Sequence, residues 1–539
     1  MSRADNIFLV GFMGVGKSAA GKLLAEKLEH DFFETDSLVE KTADKDINQI
    51  FKDSGESVFR AVETTVLKKV SIERNAVISC GGGIILREEN RKIMSESGTT
   101  VFLNASPETL LSRLIESKNS RPLLDGLSDP EKLDRINGML AERIPLYRRS
   151  DLMINTDDKP TETVVEEIIE RLTDFPAQVK VKLGERSYPI HIGRGISSKI
   201  GTIISNLNFG KKIGIVTDEN VSKLHLDTIA DNLSSAGFEV LNVKIPAGES
   251  SKSLVVISTL YDKFLEGHFE RNSTIIALGG GVVGDVTGFV AATLLRGINF
   301  VQVPTTLLAQ VDSSVGGKVG INHRLGKNLI GSFYQPNAVI IDTEFLSTLP
   351  RKELMCGMAE VIKYGLILDS GFAKHISTNF SKIIVLNDPD LTLNLIKRCV
   401  ELKAGVVAKD EQENGLRRIL NFGHTFGHSV EAILPRGSIT HGEAVAFGMR
   451  AAIRLSELLE LLSKDQSEEG LKLVENIPID RSIKELTVSD MMDAMNSDKK
   501  VKDGEIHFVL LDKIGNAVIR SGIENRLIKE SIIFSQESI

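Results

Sequence analysis

One short segment restricts the fold of the first part of the chain more than any other. Residues 6–10 are the apolar run N-I-F-L-V, and residues 11–18, G-F-M-G-V-G-K-S, follow it directly. The octapeptide fits the pattern G-x-x-x-x-G-K-[ST], and a helical pattern comes next. A strand, a glycine-rich turn and a helix start in this order are typical of a loop that binds nucleotide phosphates. The segment therefore predicts a parallel α/β domain.

The chemistry of such a loop assigns a role to each of its last five residues. The backbone N–H groups of Gly14, Val15 and Gly16 would turn toward the phosphates of ATP. Lys17 would reach the β- and γ-phosphate oxygens, and the Ser18 hydroxyl would bind Mg²⁺. The loop alone predicts a nucleotide ligand and leaves the reaction open.

Length, charge and cysteine content exclude several other classes of protein. At 539 residues the chain is too long for one core, so we expect roughly two to four domains. Its formal charge of −8 argues against a nucleic-acid partner, which would need a basic face. The first residues lack the apolar run of a signal peptide, and no stretch is long and apolar enough for a membrane span. The three cysteines form no C-x-x-C pair, and we expect a cytoplasmic location.

The distribution of apolar runs predicts three domains. Short apolar runs alternate with helical patterns as far as residue 172, which predicts a P-loop domain at 1–172 with a parallel sheet. Residues 173–177 contain Pro176 and are predicted to be a linker. Further strand-like runs between helical segments indicate a Rossmann-like α/β domain at 178–342. Residues 343–539 are predicted to form a mainly helical domain.

A second group of chemically active residues lies far from the phosphate loop. Three of the ten histidines, His424, His428 and His441, occur within 18 residues. The first two are four apart and would share one face of a helix. The spacing fits no zinc finger, but it allows a catalytic zinc with three protein ligands. Glu360 and Lys363, three apart in M-A-E-V-I-K, offer a carboxylate and an amine to the same site. For any single histidine, the alternative is an ordinary role in the core or on the surface.

Six segments of residues 1–172 together resemble shikimate kinase. They are G-F-M-G-V-G-K-S, E-T-D (34–36), F-R-A-V-E (59–63), G-G-G (81–83), S-R-P-L-L (120–124) and E-R-I-P-L-Y (142–147). The resemblance implies phosphorylation of shikimate by ATP with Mg²⁺. It implies that Arg60 and Arg143 bind the shikimate carboxylate, and that Asp36 orients or deprotonates the attacking hydroxyl.

Other residues of the kinase-like segment have narrower expected roles. Gly82 and Gly83 would let the backbone approach the shikimate ring, and Arg121 would close over the phosphates. The family usually has an aspartate two residues before Asp36, where this chain has Glu34. The longer carboxylate can still reach Mg²⁺ through a water molecule, which leaves the metal geometry open.

The second part of the chain resembles 3-dehydroquinate synthase from about residue 178 onward. The resemblance rests on P-A-G-E-S-S-K (246–252), L-G-G-G-V-V-G-D (278–285), the run from 301 to 322, G-K-N-L-I-G-S-F-Y-Q-P (326–336) and the histidine segments. It implies that Glu360, His424 and His441 bind Zn²⁺ or Co²⁺ while His428 handles a proton. It also implies transient oxidation by NAD⁺ of 3-deoxy-D-arabino-heptulosonate 7-phosphate, loss of phosphate, and closure to 3-dehydroquinate.

The same resemblance assigns the remaining site residues. The positions that match NAD⁺ binding are Asp218, Asn220, Glu249, Lys252, Gly280, Gly281, Asp285, Thr305, Thr306, Asp312, Lys318 and Lys327. Those that match binding of the heptulosonate phosphate are Arg296, Lys318, Asn328, Lys363, Lys403, Glu413, Arg417, Asn421 and His428, with one of Lys499 and Lys500. The residues expected to act in catalysis are Lys17, Asp36, Arg121, Lys318, Lys363, Lys403, Arg417 and His428.

We therefore expect a fused protein with two activities of aromatic precursor biosynthesis. It would act on small-molecule substrates and form a homodimer through its second part. The two steps are not consecutive, so channelling between the sites is not expected. Within enzymes, the second part could be another sugar-phosphate cyclase or a metal-dependent alcohol dehydrogenase. From a different class, one half could be a binding or scaffold module without chemistry.

Overall fold

The chain forms two compact units, Met1–Ala177 and Gln178–Ile539. The computed structural model describes residues 6–116, 127–174, 177–207, 209–435, 437–499 and 505–539. Part of the predicted linker, residues 175–176, lies outside the described residues. The predicted boundary at 342/343 falls within the second unit and stays a prediction. Among the described residues, no helix has both the length and the apolar character needed to cross a bilayer.

The first unit is built on a five-stranded sheet whose strands all run parallel. Its strand order is β2-β3-β1-β4-β5. Every residue of the central strand β1 is buried, as its continuous apolar sequence predicts. The strands are β1 (Asn6–Val10), β2 (Asp31–Glu34), β3 (Ala76–Ser79), β4 (Gly98–Asn104) and β5 (Leu152–Asn155).

Helices connect these strands and cover the sheet. The longest, α3, contains Gly55 at φ 79°, a left-handed conformation that bends the helix. α6 begins with a capping box between Ser128 and Glu131. The helices are α1 (Lys17–Leu28), α2 (Thr35–Ala43), α3 (Ile47–Val70), α4 (Glu88–Ser97), α5 (Pro107–Glu116), α6 (Asp129–Tyr147) and α7 (Thr161–Asp174).

The second unit contains a seven-stranded sheet in the order β6-β7-β14-β11-β10-β8-β9. From β7 to β9 the neighbouring strands are all parallel. The predicted Rossmann-like α/β architecture is thus confirmed. The strands are β6 (Ala177–Val181), β7 (Tyr188–Gly193), β8 (Lys212–Asp218), β9 (Glu239–Ile245), β10 (Thr274–Gly279), β11 (Asn299–Pro304) and β14 (Ala338–Asp342).

Two antiparallel hairpins complete the second unit. The first pairs β12 (Lys318–His323) with β13 (Gly326–Phe333), and the second pairs β15 (Phe508–Lys513) with β16 (Asn516–Arg520). The second hairpin lies within the part of the chain that was predicted to be mainly helical, and the sequence patterns did not mark its two strands. Gly515 lies in the turn of this hairpin at φ 91°. The two strands are short, and the helical patterns on either side of them dominate the prediction for this region.

The last part of the unit is mainly helical, as predicted. Every residue of α13 from Leu354 to Ile367 is buried, including the charged residues Glu360 and Lys363. The helices are α8 (Ile200–Ser205), α9 (Glu219–Val221), α10 (Asp227–Ser235), α11 (Leu254–Glu266), α12 (Gly281–Thr293), α13 (Arg351–Leu368), α14 (Ser370–Ile383), α15 (Pro389–Lys409), α16 (His424–Ile433), α17 (His441–Leu458), α18 (Lys464–Val474), α19 (Val488–Lys499) and α20 (Asn525–Glu537).

Candidate active sites

The phosphate loop has the conformation that its glycines permit. Gly14 and Gly16 take φ values of 80° and 98° between β1 and α1, which L-residues with a side chain rarely adopt. Lys17 opens α1 and donates hydrogen bonds from Nζ to the carbonyl oxygens of Gly11 and Phe12, both 2.9 Å away. The ammonium group therefore lies against the loop that would bind phosphate.

Glu34 lies beside the hydroxyl that was predicted to bind Mg²⁺. Ser18 Oγ donates to Glu34 Oε1, and Ser37 Oγ donates to Glu34 Oε2 at 3.1 Å. Ser79 Oγ is 3.4 Å from Ser18 Oγ. A carboxylate and hydroxyls at the end of a phosphate loop are the hard oxygen donors that Mg²⁺ prefers, so the donor set fits the ion.

The segment Gly81–Gly83 lies against two predicted shikimate-binding side chains, Asp36 and Arg60. A Cβ on Gly81 would lie 2.5 Å from Asp36 Oδ1, and a Cβ on Gly83 would collide with the Arg60 guanidinium. Arg60 Nη1 donates to Glu63 Oε2 at 2.9 Å. Burial raises the pKa of Glu63 to about 7 despite this ion pair. The structure thus brings Asp36, Arg60 and the glycines together.

Gly82 and Arg143 both lie beside the phosphate loop. A Cβ on Gly82 would be 3.4 Å from the Met13 backbone nitrogen. Tyr147 OH, one helical turn after Arg143, donates to the Gly82 carbonyl at 2.5 Å. Arg143 is buried over the Phe12 ring at 5.7 Å, and its Nε has no hydrogen-bond partner. A buried guanidinium nitrogen without a partner suits an anionic ligand.

A cavity of about 280 Å³ next to the phosphate loop involves residues that the sequence analysis missed. Arg113 donates from Nη1 to the Val15 carbonyl at 3.3 Å and from Nη2 to the Thr156 carbonyl at 2.7 Å. Pro160 lines the same cavity. No local pattern marks Arg113, because its partners are distant in the sequence. The predicted residue Arg121 lies outside the described residues.

The second unit contains one cluster of potential metal ligands among the described residues, formed by Glu360, His424 and His441. One ligand atom from each residue lies within 4.8 Å of the others. Glu360 Oε1 is 3.7 Å from His424 Nε2 and 3.8 Å from His441 Nε2. The Glu360 side chain is 1% exposed, its Oε2 pairs with Lys363, and its Oε1 faces the two imidazoles without a hydrogen-bond partner. Two imidazoles and a buried carboxylate oxygen without a hydrogen-bond partner fit a divalent zinc or cobalt ion.

Helix packing explains how distant residues reach this cluster. Thr440 and Glu443 form a capping box that starts α17 at His441. A Cβ on Gly442 would lie 2.5 Å from the Cys356 carbonyl oxygen, so only glycine allows α17 to approach α13 this closely. Gly442 N–H also donates to Cys356 Sγ at 3.2 Å. His441 is thereby held next to Glu360.

The second imidazole is oriented by its own backbone. His424 Nδ1 donates to the Phe422 carbonyl at 3.1 Å, which leaves the Nε2 lone pair directed at Glu360. Burial, with Lys363 and the other histidines nearby, lowers the pKa of His424 well below its usual range. The neutral form is the one that binds metals. His428 lies one turn further along α16, with its ring centroid 5.3 Å from that of His424.

Lys363 and Lys403 are the buried cations beside the cluster. Lys363 Nζ contacts Glu360 Oε2, one turn away on α13. Lys403 Nζ donates to Asp312 Oδ1 at 2.6 Å, and Tyr364 OH donates to the same oxygen at 2.6 Å. Burial alone would raise the pKa of Asp312, but the ammonium groups of Lys403 and Lys363 hold this pKa well below its usual range. Burial, with Arg417 nearby, lowers the pKa of Lys403 to about 8.

Three further predicted residues form a chain of contacts. Glu413 accepts a hydrogen bond from Asn421 Nδ2 at 2.7 Å and contacts Lys318 Nζ. Arg417 is 2% exposed and donates to the carbonyls of Glu411 and Gly316. These contacts place Lys318 of the first hairpin next to the loop before α16.

Four of the predicted dinucleotide residues, Gly280, Gly281, Thr305 and Thr306, meet at the carboxyl ends of β10 and β11. Gly280 and Gly281 follow β10 and begin α12, the arrangement that binds a pyrophosphate at a helix N-terminus. Thr305 N–H donates to the Gly279 carbonyl at 3.0 Å, and a Cβ on Gly280 would be 3.1 Å from Thr306 Cγ2. The glycine approach and helix start fit a dinucleotide.

Lys252 is the centre of a polar group at the same edge. Its Nζ donates to Asp285 Oδ2 at 2.7 Å and contacts Asn328 Oδ1. Asn322 Nδ2 donates to Glu249 Oε1 at 2.8 Å. The structure thus groups three predicted residues, Glu249, Asp285 and Asn328, around the buried Lys252.

The remaining predicted residues are less closely grouped. Asp218 caps α9 by accepting from the Asn220 and Val221 N–H groups. Arg296 is exposed in a turn with φ 68°. Lys327 donates to Glu431, a residue that the sequence analysis did not select. Lys500 and the side chain of Lys499 lie outside the described part of the chain.

Comparison with known proteins identifies both units. The family model of shikimate kinase matches residues 13–173, and the N-terminal and C-terminal models of 3-dehydroquinate synthase match residues 242–356 and 357–501. A 3-dehydroquinate synthase from Desulforamulus reducens is 47% identical over 342 residues, which are 63% of this chain and 95% of the relative. The chain belongs to the 3-dehydroquinate synthase family. The first unit, Met1–Ala177, contains a shikimate kinase domain and is called the kinase unit below; the second, Gln178–Ile539, is called the synthase unit. The chain thus joins two enzymes of aromatic biosynthesis.

Two solved structures resemble the synthase unit. A 2-deoxy-scyllo-inosose synthase complexed with carbaglucose-6-phosphate, NAD⁺ and Co²⁺ is 25% identical and has a TM-score of 0.60. The match covers 66% of this chain and 99% of that one. A 2-epi-5-epi-valiolone synthase from Streptomyces hygroscopicus with NAD⁺ and Zn²⁺ bound is 27% identical, with a TM-score of 0.60 and coverages of 66% and 98%.

Proposed function

We propose that the kinase unit transfers the γ-phosphate of ATP to shikimate, and that the synthase unit converts 3-deoxy-D-arabino-heptulosonate 7-phosphate to 3-dehydroquinate and phosphate. The observation that carries the second activity is the buried cluster of Glu360, His424 and His441 beside Lys363. It occurs in a unit that is 47% identical to a 3-dehydroquinate synthase. The first activity is supported by the segment Gly81–Gly83, which lies against the Asp36 and Arg60 side chains and, at Gly82, beside the phosphate loop.

In the kinase unit the residues mainly position charges. Mg²⁺ bound with ATP would neutralise the charge of the phosphates. Lys17 exchanges its two carbonyl partners for phosphate oxygens, which needs only a rotation of a flexible side chain. Arg60 and Arg143 bind the shikimate carboxylate, while Asp36 accepts the proton of the attacking hydroxyl. Glu63 holds the Arg60 fork in place through its 2.9 Å ion pair.

In the synthase unit the lysines bind and orient an anionic substrate. Bound NAD⁺ and Zn²⁺ would supply hydride transfer and polarisation of oxygen, respectively. Lys363, Lys403 and Arg417 are buried, so an anion that reaches them gains strong, weakly screened interactions. Asp312 holds Lys403 in place at 2.6 Å. His428, on the same helix face as His424, can accept or return a proton.

A coupled assay tests both proposals on one preparation. The purified chain is given the keto-acid phosphate with NAD⁺ and Zn²⁺, and separately shikimate with ATP and Mg²⁺. Phosphate release that yields dehydroquinate, together with shikimate-dependent ADP formation, supports both activities. Absence of either product from folded, metal-loaded protein refutes the corresponding half.

A second candidate for the synthase unit is cyclisation of another sugar phosphate. The two solved structures described above favour it, because they share its fold at 25% and 27% identity. The 47% identity to a dehydroquinate synthase favours the first candidate. Glucose 6-phosphate, whose carba analogue is bound in the first of these structures, separates the candidates in the same assay, since its turnover without turnover of the heptulosonate phosphate would support the second.

Four exposed apolar side chains of the synthase unit support the homodimer that the sequence predicts. Leu254 and Val255 of α11 are 60% and 76% exposed, and Leu325 and Leu329 of the first hairpin are 76% and 57% exposed. The two elements are joined by the Asn322 N–H to Lys252 carbonyl hydrogen bond of 2.9 Å. We propose a homodimer through this surface.

The mass in solution tests the dimer. Light scattering should give about twice the chain mass for the wild type, and the paired substitution Val255→Asp and Leu325→Asp should give the monomer mass. Ile72→Asp, at an exposed position of the kinase unit, is the control and should leave the dimer intact. A monomeric wild type refutes the proposal.

A cytoplasmic location is also proposed, because all three cysteines are unpaired and buried.

A further inference from the structure

Glu431 connects the metal cluster to a second element of the synthase unit. It lies on α16, seven residues after His424, and its side chain is 12% exposed. Its Oε2 is 3.4 Å from His441 Nδ1, and its Oε1 accepts a hydrogen bond from Lys327 Nζ at 3.0 Å. The other nitrogen of His441, Nε2, is the one that faces Glu360. The His441 ring therefore lies between two carboxylates, with one nitrogen directed at each.

This arrangement has a clear consequence for metal binding. A carboxylate only accepts hydrogen bonds, so the Nδ1 atom of His441 must carry the proton that is shared with Glu431. The lone pair is then on Nε2, where a metal would bind. A carboxylate in this position fixes the tautomer and the direction of the ring, and it makes the imidazole a better ligand.

Lys327, the other partner of Glu431, belongs to the hairpin of β12 and β13. The next residue, Asn328, contacts Lys252, and its backbone N–H donates to Asn322 Oδ1 at 2.9 Å. Asn322 in turn donates to Glu249. One side of the hairpin is thus tied to the proposed dinucleotide pocket, and Lys327 ties the same strand to the proposed metal centre.

We propose that Glu431 is a positioning residue for His441, and that Lys327 and Glu431 couple the dinucleotide pocket to the metal centre. A dinucleotide that contacts Lys252 and Glu249 orders the hairpin, holds Lys327 against Glu431, and so holds His441 in its ligating position. This inference rests on the proposed function of the synthase unit. Because coupling between two binding sites is reciprocal, NAD⁺ raises zinc affinity and zinc raises NAD⁺ affinity by the same factor.

The test measures metal affinity instead of turnover. The full chain is stripped of metal, and zinc binding is measured by competition with a chromophoric chelator, with and without NAD⁺. We expect NAD⁺ to tighten zinc binding about 5-fold or more in the wild type. Glu431→Gln should weaken zinc binding by about 10- to 100-fold and shift the visible absorption bands of the cobalt-loaded protein. Lys327→Met, measured at an NAD⁺ concentration shown to saturate that variant, should abolish the effect of NAD⁺ on zinc affinity.

Two more variants keep the test decisive. Glu468→Gln, on exposed α18, is the matched control and should behave as the wild type. Glu431→Asp retains the charge but shortens the reach, so it should lose zinc affinity even if Glu431→Gln is poorly folded.

The possible failures are distinguishable. A wild-type chain that binds no zinc, or whose zinc affinity survives His441→Ala, refutes the metal centre of the proposed function. Wild-type zinc affinity and an unchanged cobalt spectrum in both Glu431 variants refute the positioning role alone. A full NAD⁺ effect in Lys327→Met refutes the coupling.

Discussion

Lys403 Nζ and Asp312 Oδ1 lie 2.6 Å apart in the interior of the synthase unit. The lysine side chain is 6% exposed, and it reaches Asp312 from α15 across 91 residues of sequence. Burial works against the charge of the ammonium group, whereas Asp312 supports it. The pair therefore holds a lysine whose charge changes much closer to neutral pH than that of an exposed lysine.

The lowered pKa of Lys403, about 8, predicts the alkaline limit of the synthase activity. Below that pH the group is an ammonium and attracts an anionic substrate, and above it the neutral amine does not. We expect kcat/KM for the keto-acid phosphate to fall as the pH rises through about 8. Lys403→Met should lower activity and remove this fall in kcat/KM at alkaline pH. Lys409→Met, at the exposed end of the same helix, should retain both the activity and the fall. A fall that persists in Lys403→Met would assign the titration to another group.

Substitution of Lys17 should separate the two activities. Lys17→Met removes the ammonium that contacts the phosphate loop, and we expect shikimate-dependent ADP formation to fall by about 100-fold or more. Dehydroquinate formation should be unchanged, because none of the synthase residues belongs to the kinase unit. Lys27→Met, on the same helix and paired with Glu166 at 3.3 Å, is the control. Loss of both activities in folded Lys17→Met would show that the units are not independent.

A side chain at Gly83 should displace Arg60. A methyl group there would overlap the Arg60 guanidinium, which is the far end of a flexible side chain, so Arg60 would shift and its ion pair with Glu63 would weaken. Gly83→Ala should raise the KM for shikimate about 10-fold or more, with little change in the KM for ATP. Gly138→Ala, in open space on α6, should leave kinetics unchanged and stabilise the helix by roughly 0.5–1 kcal/mol. Equal KM values for shikimate in the wild type and Gly83→Ala would contradict the placement of Arg60.

Removal of the metal should stop the synthase only. After treatment with a chelator and buffer exchange, we expect no dehydroquinate formation until zinc or cobalt is added, whereas kinase activity returns with Mg²⁺ alone. Glu360→Gln should weaken zinc binding by more than about 100-fold, since it removes a charged ligand. Glu353→Gln, at an exposed position of the same helix, is the control. Full synthase activity in verified metal-free protein would refute the metal centre.

Local sequence determined much of this protein. The apolar run of β1, the strand-like runs of residues 178–342 and the glycine-rich segments after β1 and β10 were predicted correctly, because short buried parallel strands and phosphate-binding turns have local sequence signatures. The fold class and both families were likewise evident from the order of the motifs.

Only the tertiary structure decided which side chains meet. Glu360 and His441 are 81 positions apart, and the close approach of α17 to α13 at Gly442 brings them to 3.8 Å. Tyr364, Arg113 and Glu431 were missed because each acts through a residue that is distant in the sequence. Tyr364 donates to Asp312, Arg113 donates to the phosphate loop, and Glu431 accepts from His441. Helix packing creates these contacts, and they leave no periodic signal in the sequence. Sequence patterns report the local conformation of the backbone, whereas hydrogen bonds between distant side chains form only once the helices are packed.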